Sequence, residues 1–131
     1  MLAVLPPNHP AAKGESFPIE AFARESFIMP AFGQDDDVSA LFEKYRIEPI
    51  IKFSTLESFA AISMVEHGLG VSVMNELITK NWRSDTVMLP LDPPQTITLG
   101  ISIPSLEQAA PAVRKFAEYA VRMLTRVERR P

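Results

Sequence analysis

The stretch "SMVEHGLGVSVM", which runs from Ser63 to Met74, decides how the fold is interpreted. Its first part is apolar and helix-like, its last part alternates as a β-strand does, and "GLG" stands between them. A dinucleotide-binding motif has the opposite order, because the phosphate lies against the N–H groups of a helix that follows the glycines. We therefore interpret "GLG" as a corner, in which Gly68 ends the helix with a positive φ and His67 lies beside the negative end of the helix dipole.

Strands and helices alternate on both sides of this corner. Val38, Leu41, Phe42 and Tyr45, for example, recur with the spacing of one helix face. Alternation with short connections favours an α/β fold, with a largely parallel sheet covered by helices. The predicted strands are 2–7, 26–31, 48–54, 71–74, 86–91 and 95–104, and the predicted helices are 17–25, 35–47, 55–68, 75–82 and 107–127.

The last strand and the last helix form a separate pair. Apolar residues alternate through 95–104, which predicts a strand with one strongly buried face. The helix at 107–127 carries an apolar stripe that we expect to face inward. The strand positions are Ile97, Leu99, Ile101 and Ile103, and the helix positions are Val113, Phe116, Ala117, Ala120, Val121 and Leu124.

The composition is that of a globular domain. Apolar residues make up 47% of the 131 residues, and the formal net charge of −3 gives no support for nucleic-acid binding by this segment. The absence of cysteine excludes disulfides, thiolate catalysis and zinc held by cysteines. The start of the chain does not resemble an export signal, and no apolar run approaches the roughly 18 residues that span a bilayer. A cytoplasmic protein without a membrane partner is expected.

Several segments resemble, in order, the effector-binding domain of LysR-type transcriptional regulators. These segments are "LAVLPPNHPAA", "SFIMPAFGQDDD", "IIKFSTLESFAA", "LESFAAISMVEHGLGVSVMNE" and "LPLDPP" with "LGISI". The resemblance covers essentially the whole chain and implies a periplasmic-binding-protein-like (type II) α/β fold. Residues 1–94 would form subdomain II, and residues 95–131 would supply a crossover strand and a C-terminal helix to an incomplete subdomain I.

The same resemblance implies a function in sensing. The chain would bind a small-molecule effector, without a cofactor, in a regulator that is a dimer or a tetramer. DNA would be bound only through an N-terminal winged helix-turn-helix, which this chain lacks. Because the last strand and helix would be short of partners, we expect abnormal association or partial disorder of the C-terminal part.

Candidate effector-binding residues follow from two arguments. Ligands of open α/β sheets lie beyond the carboxyl ends of the strands, and the resemblance points to the same loops. The candidates are Met29, Pro30, Phe32, Gly33, Gln34, Ser54, Thr55, Leu56, Met74 and Asn75.

Two of these segments also have simpler interpretations. "STLE", Ser54–Glu57, fits a capping box, so that one hydroxyl caps the next helix while the other is left to face an effector. Asp35, Asp36 and Asp37 lack the spacing of a calcium loop and are interpreted as helix-capping residues. Together with Glu57 they would oppose a small anionic effector unless subdomain I supplies cations, which predicts a neutral or weakly charged effector.

Two alternatives remain open. A solute-binding protein of the same two-lobed fold would differ by an export signal upstream. A small α/β enzyme is disfavoured, because neither His9 nor His67 pairs with a nucleophile in the sequence pattern and no H-E-x-x-H, G-x-S-x-G or P-loop motif occurs. We therefore predict no catalytic residue and no metal site.

Overall fold

The computed structural model describes residues 1–30, 36–80, 82–98, 100–105 and 107–127. It divides into two compact units, Met1–Ile97 and Thr98–Pro131. The strands are β1 (Leu2–Leu5), β2 (Phe17–Pro18), β3 (Ser26–Pro30), β4 (Ile50–Thr55), β5 (Ser72–Met74) and β6 (Val87–Asp92). The helices are α1 (Asp36–Tyr45), α2 (Ser58–Glu66), α3 (Glu76–Thr79) and α4 (Pro111–Val127), with 3-10 turns at Pro10–Lys13 and Ile19–Arg24.

The first unit is built on a mixed sheet in which β1 runs against its neighbours. Four strands pair in the order β2-β6-β1-β5, and β3 pairs with β4. β1 is antiparallel to both β5 and β6, whereas β2 is parallel to β6 and β3 is parallel to β4. A parallel bridge between Phe27 and Val71 joins the two sets of strands. The expected α/β architecture is therefore confirmed, with one antiparallel strand inside it.

Two cores lie on opposite faces of this sheet, because side chains alternate along each strand. Ala3 and Leu5 belong to the larger core, whereas Val4 between them belongs to the smaller core. Phe27 and Ile28 divide in the same way on β3. Helix α1 covers the larger core and α2 covers the smaller one.

Aromatic rings fill the centre of the larger core. The rings of Phe22, Phe27 and Phe42 meet edge-to-face, with centroids 5.0–5.7 Å apart. Such pairs add about 0.5–1.5 kcal/mol each beyond the area that they bury. Phe42 lies on α1 beside Val38 and Leu41, so the helical spacing in the sequence correctly identified the face of α1 that packs on the sheet.

The "GLG" segment is a corner, as its order in the sequence predicted. Gly68 has φ of +74°, its N–H donates to the Val65 carbonyl, and the Leu69 N–H donates to the Met64 carbonyl. These two bonds form a Schellman motif, which ends α2. The His67 imidazole Nδ1 lies 2.8 Å from the Ser63 carbonyl oxygen, so it donates to the carbonyl end of the same helix.

Gly70 has a different role from Gly68. A Cβ atom at residue 70 would overlap the backbone carbonyl oxygen of Ser26 on β3. The close approach brings the Val71 N–H within 2.8 Å of the Ser26 oxygen, and the Ile28 N–H within 2.9 Å of the Val71 oxygen. The second glycine therefore permits β5 to join β3.

The predicted strand at 95–104 is wrong for the residues described there, because 95–98 and 100–105 are irregular. A strand requires a neighbour that pairs with its N–H and C=O groups, and no pairing to this segment occurs among the described residues. Ile101 is accordingly 40% exposed, and Leu99 lies outside the described residues.

The stripe on the last helix is also not buried. Helix α4 begins at Pro111 rather than at residue 107, and the larger members of its apolar stripe are exposed among the residues described. These are Val113, Phe116, Val121 and Leu124, which are 42–64% exposed.

Smaller corrections concern two other helices. Residues 19–24 form a 3-10 helix rather than an α-helix, after a two-residue strand at Phe17–Pro18. Helix α2 begins at Ser58 rather than at residue 55, and Phe59 in its first turn is 44% exposed. Of the helices in the described ranges, none combines the length and apolar character needed to cross a membrane.

We expect Gly70→Ala to lower the free energy of unfolding more than Gly68→Ala does. The Cβ at 70 meets a backbone atom that cannot move without separating β5 from β3, which costs about 1–3 kcal/mol or more. Gly68 has open space around it, so alanine there has only the strain of a positive φ, about 1 kcal/mol.

Urea unfolding followed by circular dichroism measures both changes. Gly100→Ala is the matched control, because a Cβ there meets nothing within 4 Å. Equal losses for Gly68→Ala and Gly70→Ala would contradict the assignment of Gly70 to the strand junction.

Candidate functional site

Three parallel strands of the first unit end at the same edge of the sheet. Met29 and Pro30 on β3 pair in register with Ser54 and Thr55 on β4. β5 lies on the other side of β3. It is held there by the parallel bridge between Val71 and Phe27 and by the buried Ser72 hydroxyl, which donates to the Ile28 carbonyl oxygen at 2.8 Å. We call this edge, where β3, β4 and β5 end, the carboxyl edge.

The predicted site residues at the carboxyl edge fall into buried and exposed groups. Met29 is 8% exposed and belongs to the larger core, and Met74 is 2% exposed and belongs to the smaller core. Pro30 is buried as well. Ser54 and Leu56 are exposed, with Leu56 at 63%. Met29 and Met74 thus form a buried base that points to opposite faces of the sheet, whereas Ser54 at the end of β4 and Leu56 after it form an accessible rim.

Three of the predicted residues cannot be placed in this arrangement. Phe32, Gly33 and Gln34 follow β3 and lie outside the described residues.

The capping box predicted at Ser54–Glu57 is wrong. Helix α2 starts at Ser58, and its N-cap residue is Glu57, which makes no side-chain capping bond. The Thr55 hydroxyl instead accepts a hydrogen bond from the Glu57 N–H at 3.1 Å, within the turn that precedes the helix. Strand β4 extends one residue beyond Ser54, so both Ser54 and Thr55 belong to the strand and neither is the first residue of the helix.

Asn75 has a capping role that the sequence analysis did not assign. It is the N-cap of α3, and its Oδ1 accepts from the Leu77 N–H at 2.9 Å. The signal was present in "NELIT", since asparagine directly before a helix is a preferred cap. The bond fixes the orientation of the Asn75 side chain at the carboxyl end of β5.

Acidic side chains lie at the starts of three helices. Asp37 lies in the first turn of α1, and the exposed Glu57 and Glu76 lie at the starts of α2 and α3. Each helix N-terminus carries a partial positive charge that favours a nearby carboxylate. Stabilisation of the helix starts is therefore sufficient to explain why these acidic residues occur there. Asp35 lies outside the described residues. Across the described ranges, no three metal-ligating side chains come together.

An aromatic pair near the first turn of α2 was also missed. Phe59 and Trp82 stack with ring centroids 4.3 Å apart and an interplanar angle of 21°. Both rings remain about two-fifths exposed. Their separation of 23 residues in the sequence gave no indication of the contact.

Comparison with known proteins gives consistent results. Residues 1–125 match the model of the LysR substrate binding domain family. The HTH-type transcriptional regulator YnfL of Escherichia coli is 25% identical over 121 residues, which are 88% of this chain and 41% of that protein. The chain therefore spans less than half the length of this curated relative.

Solved structures share the fold. The regulatory domain of Synechocystis PCC6803 CcmR, in complex with 2-PG, superimposes with a TM-score of 0.69 at 20% identity, over 90% of this chain and 59% of that one. The effector binding domain of QuiR, in complex with shikimate, gives a TM-score of 0.67 at 22% identity, over 93% of this chain and 59% of that one.

We expect Asn75→Ala to lower the free energy of unfolding by about 1 kcal/mol, because the Leu77 N–H loses its acceptor. Asn75→Asp is the matched control, since its carboxylate oxygen still accepts that bond and suits the helix N-terminus. Chemical denaturation measures the difference. A loss from Asn75→Asp as large as that from Asn75→Ala would contradict the capping role.

Proposed function

The chain belongs to the LysR substrate-binding domain family, and from that premise we propose that it is the effector-sensing part of a LysR-type transcriptional regulator. One observation supports the proposal above the others. Three parallel strands end together at the carboxyl edge, where ligands of open α/β sheets bind. We assign residues 1–94 to subdomain II and residues 95–131 to the part of the chain that contributes to subdomain I.

The effector site that we propose lies at the carboxyl edge. Met29, Pro30 and Met74 form its buried apolar base; Met29 and Met74 are fixed in the cores on the two faces of the sheet, and Pro30 is buried beside them at the end of β3. Ser54 offers an exposed hydroxyl and Leu56 an exposed apolar side chain. The proposed set also includes Thr55 and Asn75. It is completed by three residues that lie outside the described ranges, Phe32, Gly33 and Gln34.

The proposed effector is a neutral or weakly charged molecule. Glu57 and Glu76 stand two residues beyond the ends of β4 and β5, and carboxylates there repel an anion that approaches the carboxyl edge, unless subdomain I supplies cations. Asp37 adds a carboxylate in the first turn of α1. The exposed Leu56 side chain favours a molecule with an apolar portion, and the Ser54 hydroxyl suits a ligand that hydrogen bonds.

The remaining parts of the proposal concern the longer protein. Effector binding would be transmitted to a winged helix-turn-helix domain, and only that domain would contact DNA. The longer protein would be a cytoplasmic dimer or tetramer. The chain would bind its effector without converting it, so no cofactor and no catalytic residue are assigned.

Thermal unfolding of the complete regulator tests the effector class. In a screen of small metabolites, we expect a neutral compound to raise Tm, since a ligand that binds only the folded state stabilises it. The compound should be recovered unchanged, as chromatography of the incubated ligand would show. Submillimolar binding of an aromatic carboxylate would contradict the proposed class, and turnover would contradict the sensing role.

Ser54→Ala tests the site itself. Loss of one hydrogen bond to a neutral ligand should weaken binding about 3- to 10-fold, which titration calorimetry measures. Ser63→Ala is the matched control, because Ser63 is exposed on α2 away from the edge. Equal affinities for the two variants would remove Ser54 from the site.

A further inference from the structure

Phe59 and Trp82 form a stacked pair of rings, which we call the aromatic pair, and it stays open to solvent. The ring centroids lie 4.3 Å apart with an interplanar angle of 21°, so each ring covers one face of the other. Phe59 is nevertheless 44% exposed and Trp82 is 41% exposed. The ring surface that remains is accessible to a third planar group, which can stack on the outside of the pair.

The aromatic pair adjoins the carboxyl edge. Strand β4 ends at Thr55, and Phe59 lies in the first turn of α2. Four residues of chain span at most about 14 Å, so Phe59 stays within that distance of the strand end. Leu56, which is 63% exposed, lies between the two in the sequence. A ligand that binds at Ser54 and Leu56 therefore has the aromatic pair within reach.

Both rings are held in place by the fold. Phe59 belongs to α2, which packs on the sheet through the smaller core. The Trp82 N–H donates to the Thr79 carbonyl oxygen at 3.0 Å, which continues the turn of α3. The Asp85 N–H donates to Glu66 Oε1 at 2.8 Å, so the segment after Trp82 is fixed to the last turn of α2. Rings that are already positioned lose little freedom when a ligand stacks on them, which lowers the cost of binding.

The charges next to the aromatic pair have both signs. Exposed Glu57 lies two residues before Phe59. Exposed Lys80 and Arg83 lie on either side of Trp82 in the sequence. An anionic ring would be repelled by Glu57 and a cationic ring by Lys80 and Arg83, and either would lose hydration on stacking. A neutral ring has neither cost.

We propose that the aromatic pair is a subsite of the effector site and takes a neutral planar ring of the effector. The inference rests on the proposed function for the position of the effector, whereas stacking on the pair is testable without the effector. It narrows the effector class from a neutral or weakly charged molecule to one that carries a neutral aromatic or heteroaromatic ring.

NMR titration of this chain tests the subsite. Trp82 is the only tryptophan in the sequence, so its indole N–H gives a single signal. Benzamide is the probe, and cyclohexanecarboxamide carries the same neutral amide on a saturated ring. Benzoate and benzamidinium keep the planar ring and add a negative or a positive charge. We expect benzamide to shift the indole signal with a dissociation constant about 2- to 10-fold lower than those of the other three compounds.

Phe59→Leu tests the pair itself, since leucine keeps an apolar side chain and removes the ring on which Trp82 stacks. We expect benzamide to bind this variant about 2- to 10-fold more weakly. Phe53→Leu is the matched control, because Phe53 is 40% exposed on β4 and lies outside the stack, and it should leave the affinity unchanged. Circular dichroism shows whether the variants fold. If Phe59→Leu does not, the four compounds on the unmodified chain still decide the question.

Nuclear Overhauser effects locate the bound ring relative to the carboxyl edge. We expect cross-peaks from the ring protons of benzamide to the Trp82 indole and to the Leu56 methyl groups, because Leu56 precedes the first turn of α2 by two residues. Cross-peaks to Trp82 without any to Leu56 would place the ring outside the effector site and would overturn the proposal.

Three other results would also overturn it. Equal dissociation constants for benzamide and cyclohexanecarboxamide would show that a planar ring is not selected. Tighter binding of benzoate or benzamidinium would show that the subsite prefers a charge. Equal effects of Phe59→Leu and Phe53→Leu would remove the aromatic pair from the site. In each case the carboxyl edge would remain as the proposed effector site, which the Ser54 experiment tests separately.

Discussion

The junction between β3 and β5 is the constraint on which the first unit depends. It joins two sets of strands through one bridge, at Phe27 and Val71, and through the Ser72 hydroxyl on the Ile28 oxygen. The strands approach closely enough only because Gly70 has no Cβ in contact with the Ser26 oxygen. Without this junction, the carboxyl ends of β3 and β4 would not meet that of β5, and the proposed effector site would lack one side.

The corner that precedes this junction shows what a sequence can predict well. The order helix, glycine, strand follows from local properties: helical spacing before Gly68, alternation after Gly70, and the low cost of a positive φ at glycine. The two glycines differ, however, in a way that only the structure reveals. Gly68 satisfies a local backbone requirement, whereas Gly70 satisfies a contact with Ser26, 44 residues away, and no local pattern encodes that contact.

The predictions that were wrong or missing share one cause, which is that local sequence patterns do not contain tertiary contacts. Residues 95–104 have the alternation of a strand, but a strand is stabilised by its neighbours and not by its own sequence. The capping box at Ser54 failed because β4 pairs with β3 through Thr55, so the hydrogen bonds of the sheet displaced the helix start. The Phe59–Trp82 stack was missed because its partners are distant in the sequence. Local patterns thus predicted most of the elements, whereas tertiary pairing decided where they end and that residues 95–98 and 100–104 do not form a strand.

The division of the carboxyl edge into base and rim has a consequence for how such a site diversifies. Truncation of Met29 or Met74 leaves a cavity in a core and costs about 2–5 kcal/mol, a large part of the stability of a small domain. Changes at the exposed Ser54 or Leu56 cost about 0.5 kcal/mol or less, because little packing is lost there. In the site that we propose, effector preference would therefore change at the rim while the buried base is held by the fold. This reasoning is consistent with the two solved structures that share the fold at 20% and 22% identity, since one holds 2-PG and the other holds shikimate.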